Sequence, residues 1–167
     1  MMAKTLTSPW AKSVAALLLA ACTCHLSYAQ QPPVVEAAPA GFDAELALQL
    51  GADERGMKPY VLVILKTGPN KVPAGAERDA MFKGHFANMG RLAAEKKLAL
   101  AGPLDGVDGW RGLFVLAVAN IEEAKALVAT DPVIIQGEMV AEYHKYYGSA
   151  GLMMVNDIHK KVAKKSF

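Results

Sequence analysis

Two residues in this sequence have the type and setting to move a proton, His85 and Asp131. His85 stands in Gly-His-Phe-Ala-Asn-Met-Gly-Arg-Leu (84–92), inside a helical pattern, and Asp131 stands in Thr-Asp-Pro. Imidazole titrates near neutrality, so it can take a proton and return it. A carboxylate bonded to one ring nitrogen fixes the tautomer and raises the basicity of the other nitrogen. Our expectation is that the two side chains, remote along the chain, meet lining one solvent-reachable pocket. The chemistry would be cofactor-independent proton abstraction, elimination or isomerisation on a small organic substrate. Arg111, beside Trp110, has the planar fork that binds a substrate carboxylate, and His144 and Tyr146 are expected in the lining. The competing expectation is that Asp131 merely caps the turn before Pro132 and His85 is a core histidine. A pocket of the same make-up would also serve a small-ligand-binding or accessory protein without turnover. His85, Asp131 and His144 could ligate a metal, but there is no His-x-x-His or cysteine pair, so no metal is expected. Gly102-Pro103 is not followed by a helix, which excludes a phosphate-cradling loop.

The elements that must position these residues follow from periodicity. Tyr60–Leu65 is an unbroken apolar run bounded by Pro59 and Gly68-Pro69-Asn70, hence a strand. Glu77–Lys97 predicts a long helix. Phe82, Phe86, Met89 and Ala93 repeat as its buried stripe, and His85 falls on the shoulder beside Met81 and Leu92. Gly90 in mid-helix is expected to permit a close packing contact. Leu98–Ala101 is a second strand, stopped by Gly102-Pro103, and Leu113–Val118 is a third after two Asp-Gly turns. Asn120 and Glu123 form a capping-box pattern for a second helix that stops at Thr130, ahead of Asp131-Pro132. Pro132–Gly137 predicts a short helical turn. Glu138–Tyr147 alternates as the fourth strand, with Val140, Glu142, His144 and Tyr146 on one face. Leu152, Val155, Ile158 and Val162 predict a final amphipathic helix with lysines clustered at its end. Further upstream, Phe42, Leu46 and Leu50 space a short helix that Gly51 stops.

The resulting order, β-α-β-β-α-β, is the α+β arrangement of ferredoxin-like domains. Its helices cover one face of the sheet, and strands this apolar need cover on the other, which a homodimer with facing sheets would supply.

Composition and address set the outer limits. At 167 residues and 53% hydrophobic the chain has the length of one domain and can bury a core. Residues 1–29 read as a secretory signal: Lys4 and Lys12, an apolar run from Val14 to Ala21, then Ser-Tyr-Ala before Gln30. The domain plan is signal 1–29, linker 30–56 with a short helix, α+β domain 57–149 and helical tail 150–167. A periplasmic or secreted protein is expected, with Leu19-Ala20-Ala21-Cys22 as an alternative lipid-attachment signal that would tether it to a membrane. Cleavage after Ala29 removes both cysteines, so no disulfide framework would remain. It also removes two basic residues, leaving sixteen of each sign, and such a neutral chain is not expected to bind nucleic acid.

The segment from about Tyr60 to Tyr147 resembles the YCII-related family. The resemblance is carried by His85 near the start of the first long helix, by Gly90-Arg91-Leu92 through Leu98-Ala99-Leu100-Ala101-Gly102-Pro103, and by Asp131-Pro132 after the second helix. It implies a dimeric α+β barrel related to muconolactone-isomerase-like folds. It also implies a His/Asp pair in a pocket used for acid–base chemistry, with Gly102 and Pro103 at the substrate. The export signal and the Tyr-Gly-Ser-Ala-Gly-Leu-Met-Met tail depart from the family pattern.

Overall fold

The apolar run at Tyr60 is the middle of a longer strand, β1 (Met57–Thr67), against which the rest of the domain is laid. The computed structural model describes residues 38–165. The expected export signal, the Cys22 alternative and the proline-rich start of the expected linker lie outside the described residues. β3 (Trp110–Leu116) flanks β1 on one side and β4 (Met139–Ser149) on the other, and β2 (Leu98–Pro103) forms the edge beyond β3. Every neighbouring pair is antiparallel, and the order β2-β3-β1-β4 is ferredoxin-like. β1 begins three residues earlier than its apolar run and includes Pro59. β3 pairs with it only from Val61 onward, so Pro59 has a strand on one side alone and its missing amide hydrogen is tolerated.

Strand period sorts the core into two layers. Val61, Val63 and Leu65 of β1 and Phe114 and Leu116 of β3 face α2 (Ala76–Ala94), α3 (Ile121–Val128) and α4 (Pro132–Ile135). Tyr60, Ala99 and Val115 belong to a smaller cluster on the other face.

The phase of α2 differs from the expected one. Its buried line is Met81, His85, Asn88 and Leu92, one residue round from the predicted stripe, and Phe86 is 44% exposed. Both lines have helical spacing; the sheet takes the one that contains the histidine. Gly90 makes no close contact, for a Cβ there would meet nothing within 4 Å. The close approach is at Gly84, where a Cβ would come 2.9 Å from Cγ of Pro132 and push α4 away. The cap of α3 also closes differently from a capping box. Asn120 accepts from the Glu123 amide at 2.8 Å, but the Glu123 carboxylate reaches the Ala119 amide, one residue further back, at 3.1 Å.

Short helical elements precede and follow the sheet. α1 (Ala44–Leu50) is capped by Asp43 and ends at Gly51, which takes the left-handed conformation that glycine adopts without strain. The segment after β4 makes a 3-10 turn (Ala150–Met154) and then α5 (Val155–Val162). Leu152 and Met153 of the turn pack on the second-face cluster, so the chain's own tail supplies part of the cover expected from a partner sheet. The tail then passes the open edge of β2. Asn156 donates to the carbonyls of Leu98 (2.7 Å) and Ala99 (3.3 Å), and Asp157 pairs with Lys96 at the end of α2 (3.3 Å). Occupying an edge strand's carbonyls in this way removes a template for further strand addition.

Candidate active site: a buried histidine–aspartate pair

His85 comes from the buried line of α2, and Asp131 is the N-cap residue of α4, in extended backbone geometry ahead of Pro132. The tight approach of the two helices at Gly84 brings them together: His85 Nδ1 lies 2.9 and 2.8 Å from the two carboxylate oxygens of Asp131. Asp131 is fully buried and His85 is 7% exposed. An ionised carboxylate only accepts, so Nδ1–H donates to it and Nε2 presents a lone pair. Nε2 makes no hydrogen bond among the described residues, and it is not among their solvent-sealed polar atoms.

The carboxylate has a full set of partners, as a buried charge requires. Its Oδ1 also accepts from the Val133 amide at 3.2 Å, which is the helix cap, and Oδ2 lies 3.5 Å from Asn88 Nδ2. Asn88 is held in turn by Arg91, whose guanidinium donates to Asn88 Oδ1 at 2.8 Å and to the Thr130 hydroxyl at 3.2 Å. One side chain thus caps α4 and bonds the imidazole, but the solvent-reachable pocket expected around the pair is not at it, since the pair is buried and lines neither cavity described below. Asn88 and Arg91 were not expected as members of the site. The available signal was spacing, since Asn88 lies three residues after His85 and shares its helix face. Three aromatic rings enclose the imidazole: Phe114 of β3 stacked at 6.0 Å, Phe82 edge-on at 6.2 Å and Phe86 tilted at 5.4 Å.

Arg111 is not at this pair. Between Leu65 and Lys66 the β1–β3 register shifts, and Arg111 is the extra residue of the resulting bulge. Its guanidinium lies 3.7 Å from the buried carboxylate of Glu138, which Arg78 also contacts at 2.8 Å. Burial alone would raise the Glu138 pKa, but the Val72 amide and the two guanidinium groups outweigh it and hold the carboxyl below its ordinary range. These three side chains line a cavity of about 310 Å³ with Thr67, Asn70 and Lys71. Arg78 stacks over Phe82, the same ring that meets His85, so a single phenyl group stands between the two sites.

His144 and Tyr146 lie on the opposite face of the sheet from His85, paired with Leu62 and Tyr60. This corrects their expected place in one lining: alternation along β4 turns Ala141 and Tyr143 toward the helices and these two away. His144 bonds Glu142 at 2.8 Å, and Tyr146 lies against Tyr60 with ring centres 6.1 Å apart. The His85–Asp131–His144 metal set is thus not assembled, and no group of three or more suitable side chains is found among the described residues. Gly102 and Pro103 end β2, paired with Leu113 and Gly112.

A larger cavity of about 560 Å³ opens between α2, β2 and the tail. Neither it nor the 310 Å³ cavity is lined by His85 or Asp131. Phe86 is the link, since it forms part of the larger cavity's wall and lies against the His85 ring.

Fold and site define an α+β domain with a ferredoxin-like sheet and a buried histidine–carboxylate pair between two helices. The profile of the YCII-related domain matches residues 59–144, slightly over half of the chain, and the chain belongs to that family. The match spans β1 to the middle of β4 and includes both members of the pair; α1 and the tail from Ala150 fall outside it. No curated protein matches the chain.

Proposed function

We propose that the chain is an exported, homodimeric acid–base enzyme in which His85 is the base and Asp131 fixes its tautomer. The observation that carries this reading is the 2.8 Å contact of His85 Nδ1 with a fully buried carboxylate, which leaves Nε2 to exchange protons. The step is cofactor-independent. Nε2 takes a proton from a carbon next to a carbonyl, the electron pair passes into the carbonyl, and the proton returns at another carbon or a leaving group departs. Rotation of the Phe86 side chain would let a ligand reach Nε2. A carboxylate on the substrate would be met by Arg111, across the Phe82 ring. The dimer uses the second face of the sheet, where Val140, His144 and Tyr146 remain uncovered.

The test is deuterium uptake from heavy water by a panel of small keto and enol acids, followed by mass spectrometry. His85→Ala should fold normally and exchange about 10²–10⁴-fold more slowly; unchanged exchange would remove His85 from the mechanism. Modification by diethyl pyrocarbonate, mapped by peptide, tests access, and Phe86→Ala should speed the reaction at His85. A binder without turnover is the second reading. It is favoured by the placement of the larger cavity beside the pair rather than on it, and a ligand recovered unchanged, with no deuterium in any compound, would support it.

A further inference from the structure

We propose that the chamber between α2, β2 and the C-terminal segment is a binding site for an amphiphilic organic anion, a molecule with an apolar body and one carboxylate. The chamber holds about 560 Å³, within the roughly 300–1,000 Å³ typical of small-molecule sites. Its floor is apolar: Phe86, Met89 and Ala93 from α2, Leu98 and Leu100 from β2. Opposite stands the tail, with Val155 and Ala163 turned to the same space. Lys160, Lys164 and Lys165 give it a cationic rim, and no acidic side chain among the described residues lines it.

Two features distinguish this space from loose packing. The first is Gly90, a lining residue in mid-helix where an added Cβ would meet nothing within 4 Å. Glycine there costs about 1 kcal/mol relative to alanine, and any larger side chain would project into the chamber. The second is the charge. Lysines in the last turn of a helix are explained by its dipole, but α5 ends at Val162, and Lys164 and Lys165 lie beyond it. Asp157 pairs with Lys96 and Lys160, whereas Lys164 and Lys165 have no ion pair among the described residues. The chamber wall is held at Asn156, bonded to β2, so the start of α5 has a fixed position relative to the floor. The tail lies outside the residues matched by the family. The proposal does not depend on His85 acting as a base.

The test uses the full chain and decanoate, titrated calorimetrically, with methyl decanoate as the neutral counterpart. Decanoate is expected to bind at one site per chain, more tightly than its ester, and more weakly as salt rises. Gly90→Leu should lower decanoate affinity at least about tenfold, or 1.4 kcal/mol, while leaving the melting temperature equal or higher. Lys164→Glu with Lys165→Glu should remove the preference for decanoate over the ester and leave ester binding unchanged. His85→Ala should change neither. Absence of saturable binding, or affinity that survives Gly90→Leu, would overturn the site. Equal affinity for acid and ester in the unmodified chain would overturn its anionic character.

Discussion

At the scale of single residues, two buried carboxylates govern what happens to this domain when it is perturbed. Asp131 satisfies an imidazole and a backbone amide at once, so Asp131→Ala strands both donors. Each buried donor left without a partner costs about 1–3 kcal/mol; we expect a loss in that range or above by urea denaturation, larger than for His85→Ala. Glu138 behaves differently with pH. Its folded-state pKa lies below the ordinary 4.5. In the window between the two values the unfolded chain holds a proton that the folded chain lacks, so stability is present above the window and is lost as pH falls through it. Glu138→Gln should be less stable at neutral pH, and its melting temperature should fall less steeply below about pH 4.5.

Two glycines in one helix, Gly84 and Gly90, would pass as equivalents in sequence, and at the scale of elements they are opposites. Gly84 lets α2 touch Pro132, and Gly90 faces open space. Gly90→Ala should therefore stabilise the helix by about 0.5–1 kcal/mol. Gly84→Ala gains the same propensity but forces apart the two helices that hold His85 and Asp131, and overpacking costs about 1–3 kcal/mol. Paired unfolding curves of the two variants should separate by at least about 1 kcal/mol. Equal stability would show that α4 yields easily. The tail has its own signature. Asn156→Ala removes the bonds to β2, and amide exchange should rise in residues 155–162 without changing the sheet interior.

For the whole molecule, the second face of the sheet decides between monomer and dimer. Leu152 and Met153 cover its β2–β3 side, while Val140 and Tyr146 are 44% and 39% exposed on β4. If this strip pairs with a second copy, sedimentation of the full chain should give a dimer, and Val140→Lys with Tyr146→Glu should give a folded monomer. A monomer before substitution would confine that face to the tail's own cover. No helix among the described residues is long and apolar enough to cross a membrane.

Local chemistry was readable from the chain alone. The strand runs, the Asn120 and Asp131 caps, the stop at Gly51 and the β-α-β-β-α-β order all rest on neighbours within a few residues, and such effects are written in sequence. The encounter of His85 with Asp131 could be anticipated from residue type and from the family pattern around the pair. Other features depended on tertiary packing. Helix α2 carries two lines of equal period, and periodicity does not say which one meets the sheet. The line with His85 and Asn88 went inward because Asp131 waits there to satisfy them, while Phe86 and Met89 turned to the chamber made by the tail. The side on which Arg111 emerges was set by a bulge that exists only once β1 and β3 are in register. Phase and register are relations between elements, fixed by what each surface finds opposite it, and a single strand or helix does not contain them.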